Sequence, residues 1–324
     1  MSKLVIDMMG SDLGSAMSKE AVRIFHSVHP DCSLILVGKQ DELADMKDFT
    51  IIPADDVVSM EMGALEVLRK KDSSMVKAIE AVLSEKADGV VSAGSTGAFL
   101  SASTLILRKI PGVIRPALVT SFPNLKAGGF TTVLDVGASN ANTPEELAQF
   151  AFMGSIYAEK VNKIKSPRVA LLSNGSEEGK GSPESKEAYK LLKEDARIRF
   201  VGNLEGSQLL SDGADVVVTD GYSGNVMLKS IEGAAKGMSG LLKKAFKRNF
   251  WSKIGYLLTK KGFKEMKETL DPKKTGGALL LGINGVVVKA HGNSTPEAFK
   301  NAMELAYRLS EAHVVDALKA GFFA

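Results

Sequence analysis

The chain reads as an α/β fold on a mostly parallel sheet, for three reasons. Short β-branched runs recur along it, most of them continuously apolar rather than alternating, as in strands covered on both faces. Longer stretches with helical periodicity separate many of these runs, and strand–helix alternation is the mark of a parallel sheet. Several of the runs also end in a glycine-bearing turn. In parallel sheets, ligands bind in the crevice outside the carboxyl ends of the strands.

Taken in order, the strand candidates are Leu4 to Asp7, Leu34 to Val37, Gly89 to Ser92, Ala117 to Thr120, Thr132 to Val136, Val169 to Leu172, Val216 to Thr219 and Val286 to Lys289. Helical periodicity covers Ser73 to Ser84, Thr143 to Val161, Glu184 to Lys193 and Thr295 to Lys319. Thr143 followed by Pro144, Glu145 and Glu146 spells an N-cap, a proline at the first helical position and acids in the first turn. Thr295, Pro296 and Glu297 repeat that signal. With 324 residues and 44% hydrophobic content the chain can bury a large core without disulfides or structural metal. No repeat or Pro/Ser-rich linker divides it, so residues 1–324 are expected to form one domain. A helical excursion is expected over about residues 235–268.

The single cysteine, Cys32, cannot form an intrachain disulfide, no Cys/His cluster has zinc-ligand spacing, and a reducing cytoplasm is the expected compartment. Cys32 itself reads as a small core residue. The segment Leu4 to Met8 follows Met1 without the pattern of a secretory signal, and no apolar run has the length of a spanning helix. Net charge is +3 from 41 basic and 38 acidic residues, too balanced for a nucleic-acid binder. The charge is unevenly placed, however. No acid lies between Glu232 and Glu265, while Lys236, Lys243, Lys244, Lys247, Arg248, Lys253, Lys260, Lys261 and Lys264 do.

The glycine turns contain Gly10, Gly94 and Gly97, Gly137, Gly175 to Gly181, Gly221 and Gly224, and Gly292. If the strands share one carboxyl edge, these turns converge there, and backbone N–H groups next to helix N-termini suit phosphate. Taken singly, each turn has the alternative of a tight strand-to-helix connection. The chain lacks a P-loop, a dinucleotide fingerprint and a nucleophile elbow. His26 and His29 read as helix-end residues and His313 as a helix residue. His291 closes a strand on the ligand edge, where a structural and a catalytic histidine both fit.

The turns also form longer motifs: DxMGxD from Asp7 to Asp12, KKDSSMVKAIE from Lys70 to Glu80, VSAGSTGA from Val91 to Ala98, LDVGA from Leu134 to Ala138, and FAFMGSIYAEKV from Phe150 to Val161. They continue with EEGKG from Glu177 to Gly181, VGNLEG from Val201 to Gly206, DVVVTDGYSGNVMLKSIEG from Asp215 to Gly233, and GGALLLGINGVVVKAHGNS from Gly276 to Ser294. Together, and in order, these closely resemble the acyl-carrier-protein-dependent phosphate acyltransferase family, PlsX. The resemblance implies a three-layer α/β/α fold related to the isocitrate and isopropylmalate dehydrogenases and to phosphotransacetylases. It implies a homodimer without cofactor or metal that moves a fatty acyl group from acyl-acyl carrier protein to inorganic phosphate for phospholipid synthesis. Peripheral attachment to the membrane surface, and hand-over to a membrane glycerol-phosphate acyltransferase, are implied as well. The sequence departs from the family where Ser95, Ser139, Ser173 and Ser182 replace the usual Asn, and Ala141 the usual Asp. A member that binds acyl carrier protein or acyl phosphate without turnover is therefore the alternative. A metal- and NAD-dependent dehydrogenase would need a carboxylate metal cluster and an Arg-rich site, neither of which is visible.

Phosphate can attack a thioester directly because a thiolate leaves well, at a thiol pKa of about 8.5. The protein must then supply an anion cradle, orientation and oxyanion donors. The cradle is expected in the turns bearing Gly94, Ser95, Thr96 and Gly97, and Gly175 to Gly181 with Gly179. Lys180 is the counter-charge there, or else a solvated surface lysine. Asp7 and Gly10, Asp220, Gly221, Gly224 and Asn225, and Lys289 to His291 complete the crevice, with His291 a donor to the oxyanion or the leaving sulfur. In the basic segment Leu242, Phe246, Phe250, Ile254 and Leu258 recur every four residues, on one helix or on two if Gly255 breaks it. That stripe, with Trp251, is read either as a membrane contact made by Phe250, Trp251 and Ile254 or as a dimer contact.

Overall fold

A computed structural model of the protein describes residues 1–59, 62, 66–124, 129–269 and 276–323. The elements run β1 (Lys3–Asp7), α1 (Gly14–Val28), β2 (Ser33–Gly38), β3 (Thr50–Pro53), α2 (Ser74–Ser84), β4 (Gly89–Ser92), α3 (Thr96–Leu107), β5 (Ala117–Pro123) and β6 (Phe130–Leu134). They continue α4 (Pro144–Lys160), β7 (Arg168–Ser173), α5 (Pro183–Glu194), β8 (Arg199–Glu205), β9 (Val216–Val218), α6 (Gly221–Lys247), α7 (Phe250–Thr269), β10 (Ala278–Leu281), β11 (Val286–Lys289), α8 (Pro296–Glu311) and α9 (Val314–Phe323). All the described strands join one sheet, in the order β3-β2-β1-β4-β11-β10-β5-β6-β9-β7-β8.

Alternate residues of the same strand feed two cores. Leu4 and Ile6 face a core shared with α1, α4, α5, α8 and α9, while Val5 faces one shared with α2 and α3. Burial on both faces explains why the strands are continuously apolar, and the result is the three-layer arrangement. The expected caps are present: Thr143 accepts from the Glu146 amide as the Glu146 carboxylate accepts from Thr143 N–H, a capping box on α4. Thr295 accepts from the Ala298 amide at the start of α8.

Three sequence expectations need correction. The sheet is mostly parallel, as expected, but the glycine turns do not share one edge, because β10 is antiparallel to both β11 and β5, and β5 is antiparallel to β6. The β3-to-β11 half and the β6-to-β8 half therefore run in opposite directions, so the glycine turns fall into two groups instead of sharing one edge. The helix expected from Thr295 to Lys319 is two helices, broken at His313, which takes φ 50° and so lies outside both. In the basic segment the break falls at Arg248 and Asn249 and not at Gly255. The Asn249 side chain accepts from the Ser252 amide and starts α7. No described helix is long and apolar enough to cross a membrane.

Candidate active site

The two opposed halves of the sheet meet at its centre. Val288, Leu279, Val119 and Leu134 lie in one row across β11, β10, β5 and β6, so the end of β11 and the end of β6 overlap. Over this row, on the α2/α3 face, is a cavity of about 410 Å³, within the range of small-molecule sites. The first half contributes Thr96, Gly97, Leu100 and Ser101 from α3. The second contributes Gly137 and Ala138 after β6, and Asn225, Leu228, Lys229 and Glu232 from α6. The floor is Leu118, Thr120, Val136, Gly277, Ala278, Lys289 and Ala290, with His291 beside them.

On the first-half side, the turn after β4 presents the N-terminus of α3, whose first N–H groups have no partner within the helix and carry the positive end of its dipole. Behind it the β1 and β4 turns interlock. A Cβ on Gly10 would stand 2.7 Å from both Asp7 Oδ2 and Gly94 N, so only glycine permits this approach. Asp7 is buried; its Oδ2 accepts from Ser92 Oγ at 2.6 Å and its Oδ1 from the Met9 amide at 3.2 Å. Burial pushes its carboxyl above the usual range, although the hydrogen bonds from Ser92 and the Met9 amide oppose the shift. The Asp12 amide donates to the Gly292 carbonyl at 3.0 Å, joining the β11 turn to the same cluster. Lys289 ends β11, 8% exposed. Burial, more than the attraction of Asp12 and Asp7, governs its ammonium, and the repulsion of Lys229 adds to burial. Together they bring its pKa down to about 8.

On the other side a buried carboxylate organises the turn after β6. Asp135 accepts from the amides of Leu118, Gly137, Ala138 and Ser139 at 2.9–3.1 Å. Ser139 Oγ lies 2.6 Å from Asp135 Oδ2 and 2.8 Å from Asn142 Oδ1, and Asn142 Oδ1 also accepts from the Gly221 amide at 3.1 Å. The first turn of α6 packs onto this knot: a Cβ on Gly221 would collide with the Ser139 carbonyl, and one on Gly224 with that of Asp135. Asp220 caps α6, accepting from the Ser223 amide at 2.8 Å. At the cavity, Glu232 pairs with Lys229 at 2.9 Å and with His291 Nε2 at 3.7 Å, linking α6 to the segment after β11.

Of the residues singled out from sequence, Thr96, Gly97, Asn225, Lys289 and His291 line this cavity. Asp7, Gly10, Gly94 and Ser95 lie behind its α3 wall; Asp220, Gly221 and Gly224 anchor α6. Gly175, Gly179 and Lys180 belong to the β7–α5 loop, which does not line the cavity. Lys180 is exposed there, and Gly175 is packed against Glu177 and the Lys180 stem. Asp135, Asn142, Lys229 and Glu232 were not singled out. The acid between a strand end and a glycine in LDVGA was the available signal for the first of them. Two of the serine departures have local work: Ser139 holds the Asp135 knot, and Ser182 caps α5 by accepting from the Ser185 amide at 3.2 Å. Phe250 and Trp251 are 69% and 76% exposed near the tip of the α6–α7 hairpin, whereas Ile254 is half-buried. The stripe thus divides, and inside the hairpin Phe246 meets Tyr256 with ring centroids 5.2 Å apart.

Residues 2–317 match the family model described as fatty acid synthesis protein. The chain belongs to that family. It is 43% identical over 324 residues to a phosphate acyltransferase from an Exiguobacterium species, covering 98% of both chains, so the relatives of this member are enzymes over its whole length. In solved structures the fold recurs in a phosphotransacetylase from Streptococcus pyogenes, with TM-score 0.61, 18% identity, and 97% of this chain and 94% of the other covered. A 4-hydroxythreonine-4-phosphate dehydrogenase from Klebsiella pneumoniae follows at TM-score 0.53 and 11% identity, with 95% and 99% covered. The expected kinship of the fold with phosphotransacylases and a dehydrogenase-like architecture is therefore observed.

Proposed function

We propose that this enzyme transfers a fatty acyl group from the thioester of acyl carrier protein to inorganic phosphate, forming acyl phosphate for phospholipid synthesis. The observation that carries the reading is a single cavity joining an anion-binding end to an apolar wall. The α3 N-terminus and the buried Lys289 ammonium supply the first; Leu100, Leu118, Val136 and Leu228 supply the second. The first suits phosphate and the second the acyl chain near the thioester carbonyl. Neither side requires an enzyme nucleophile. Phosphate attacks the carbonyl, the developing oxyanion meets N–H or His291 donors, and the thiolate leaves. Burial pushes the Cys32 thiol up to about 12, so it is a poor nucleophile.

The phosphate cradle has two candidate locations, and paired variants separate them. No atom lies within 4 Å of a Cβ placed on Gly97, so Gly97→Val narrows the α3 mouth without disturbing the core. If phosphate binds there, Gly97→Val raises the phosphate KM much more than the acyl-donor KM, and Lys180→Ala changes neither. The reverse result would move the cradle to the β7–α5 loop.

The same reading takes the protein to act as a homodimer attached peripherally to anionic membrane, delivering acyl phosphate to a membrane glycerol-phosphate acyltransferase. Phe250 and Trp251, and Leu258 at 82% exposure, rise from a hairpin bearing Lys243, Lys244, Lys247, Lys260 and Lys261. Each basic residue close to an anionic surface contributes roughly 1 kcal/mol.

A further inference from the structure

Moving an acyl group from sulfur to phosphate leaves one proton to be relocated. The attacking phosphate dianion still carries one P–OH; a C–O bond forms, and the C–S bond breaks with its electron pair on sulfur. The products are an acyl phosphate dianion and a thiol, so the P–OH proton has to end on sulfur. We infer that Lys289 carries this proton: its ammonium donates to the departing thiolate, and the resulting amine takes the proton that the acyl phosphate releases. This role presupposes the acyl transfer to phosphate proposed above and names the group that completes its proton balance.

Position is the first argument. Lys289 is paired in register with Ser92 at the end of β4, just before the turn that opens α3, so its stem starts beneath the anion-binding mouth. It lines the cavity while being 8% exposed, so the side chain borders the space a ligand would fill and meets little bulk water. Nζ donates to the Ala290 carbonyl, leaving further N–H donors for a ligand.

Its electrostatic surroundings are the second argument. Asp7 and Asp12, from β1 and the segment after it, attract the ammonium, and Lys229 of α6 repels it. Glu232 of α6 lines the same cavity but is paired with Lys229 and His291. Burial outweighs the attractions and sets the pKa near 8, close to the value of about 8.5 for an ordinary thiol. A group so matched can give and regain a proton with little cost in either direction. The other cations are less suited: Lys229 is mostly exposed and ion-paired, and Lys180 lies outside the cavity. The donating form is the protonated one, so kcat should fall as pH rises through about 8.

The test uses two acyl donors on the same preparations, an alkyl thioester of acyl carrier protein and an aryl thioester whose more acidic thiol leaves without a proton. Lys289→Met should lose on the order of 10²- to 10⁴-fold in kcat with the alkyl donor and much less with the aryl donor. Lys289→Arg, which keeps the charge but cannot release a proton at these pH values, should hold the phosphate KM yet share the alkyl-donor loss. A folding defect would lower both donors alike. Equal losses with the two donors in a variant that unfolds in urea as cooperatively as the parent would overturn the proposal, as would an Arg variant with full alkyl activity and an unmoved basic limb. Lys289 would then be a fixed charge for phosphate. Absence of thiol release from either donor by the unsubstituted enzyme would overturn the acyl-transfer reading together with this role.

Discussion

Replacing Lys289 by methionine should make the protein more stable while removing its chemistry. Burial holds the ammonium near pKa 8, against 10.5 for a free lysine. At about 1.4 kcal/mol for each pH unit, keeping that group charged at pH 7 costs the folded state about 3 kcal/mol relative to the unfolded chain. Methionine has a similar volume and carries no charge. The cost of the buried charge is already net of the attraction of Asp7 and Asp12; what methionine also loses is the Nζ hydrogen bond to the Ala290 carbonyl, so the expected net increase is about 1–3 kcal/mol. The sign with pH follows from the depressed value. Between about 8 and 10.5 the unfolded chain holds a proton on this lysine that the folded protein has released, so the Lys289-linked stability rises with pH over that window. Urea unfolding at pH 7 and pH 10 should therefore show the variant ahead at pH 7 and the gap narrowing at pH 10. A variant no more stable than the parent at pH 7, or a gap independent of pH, would refute the assignment of Lys289 as a buried, strained cation.

Other positions give independent checks. Ser139→Ala removes a hydroxyl from the Asp135 knot and should cost about 1–3 kcal/mol in urea unfolding. Gly224→Ala drives a methyl into the Asp135 carbonyl and should destabilise by a comparable or larger amount, with α6 amides near Gly221 losing hydrogen-exchange protection first. Cys32→Ser should leave turnover nearly intact, and Cys32 should resist thiol reagents at pH 8 until the protein unfolds, because its thiol sits near pKa 12. Trp251→Glu or Phe250→Glu should weaken binding to anionic vesicles, binding that high salt also weakens, while solution turnover persists. If those variants instead dissociate a dimer and bind vesicles as before, the hairpin tip is a subunit contact.

The central strands were legible because burial on both faces leaves a continuous apolar signature, as in Val286 to Val288 or Val216 to Val218. Strands without it were missed. Thr50–Pro53 and Arg199–Glu205 form the two ends of the sheet and are half solvated, while Ala278–Leu281 is four residues enclosed by glycines. Its direction is the more consequential omission, since nothing local in a strand says which way its neighbour runs. That reversal splits the glycine turns and places the cavity on the centre of a sheet face. Helix α3 was hidden for a related reason: Ala98, Phe99, Leu100, Ala102 and Ser103 are all buried, which blurs helical periodicity. At the site, Thr96, Gly97, Asn225, Lys289 and His291 were accessible through motif and strand position. The Glu232 link to His291 and the Asp135 knot depend on contacts between distant segments, which sequence spacing does not encode.

The cavity between α3 and α6 is proposed to make acyl phosphate from a carrier-protein thioester and inorganic phosphate. The most direct measurement supplies acyl-acyl carrier protein and radiolabelled inorganic phosphate to the folded protein and follows free thiol and labelled acyl phosphate together. Label should appear in acyl phosphate in equal amount to thiol released, with both signals suppressed by Gly97→Val at limiting phosphate. Thioester loss without label in the product, or folded protein that binds the carrier and releases no thiol, would contradict it.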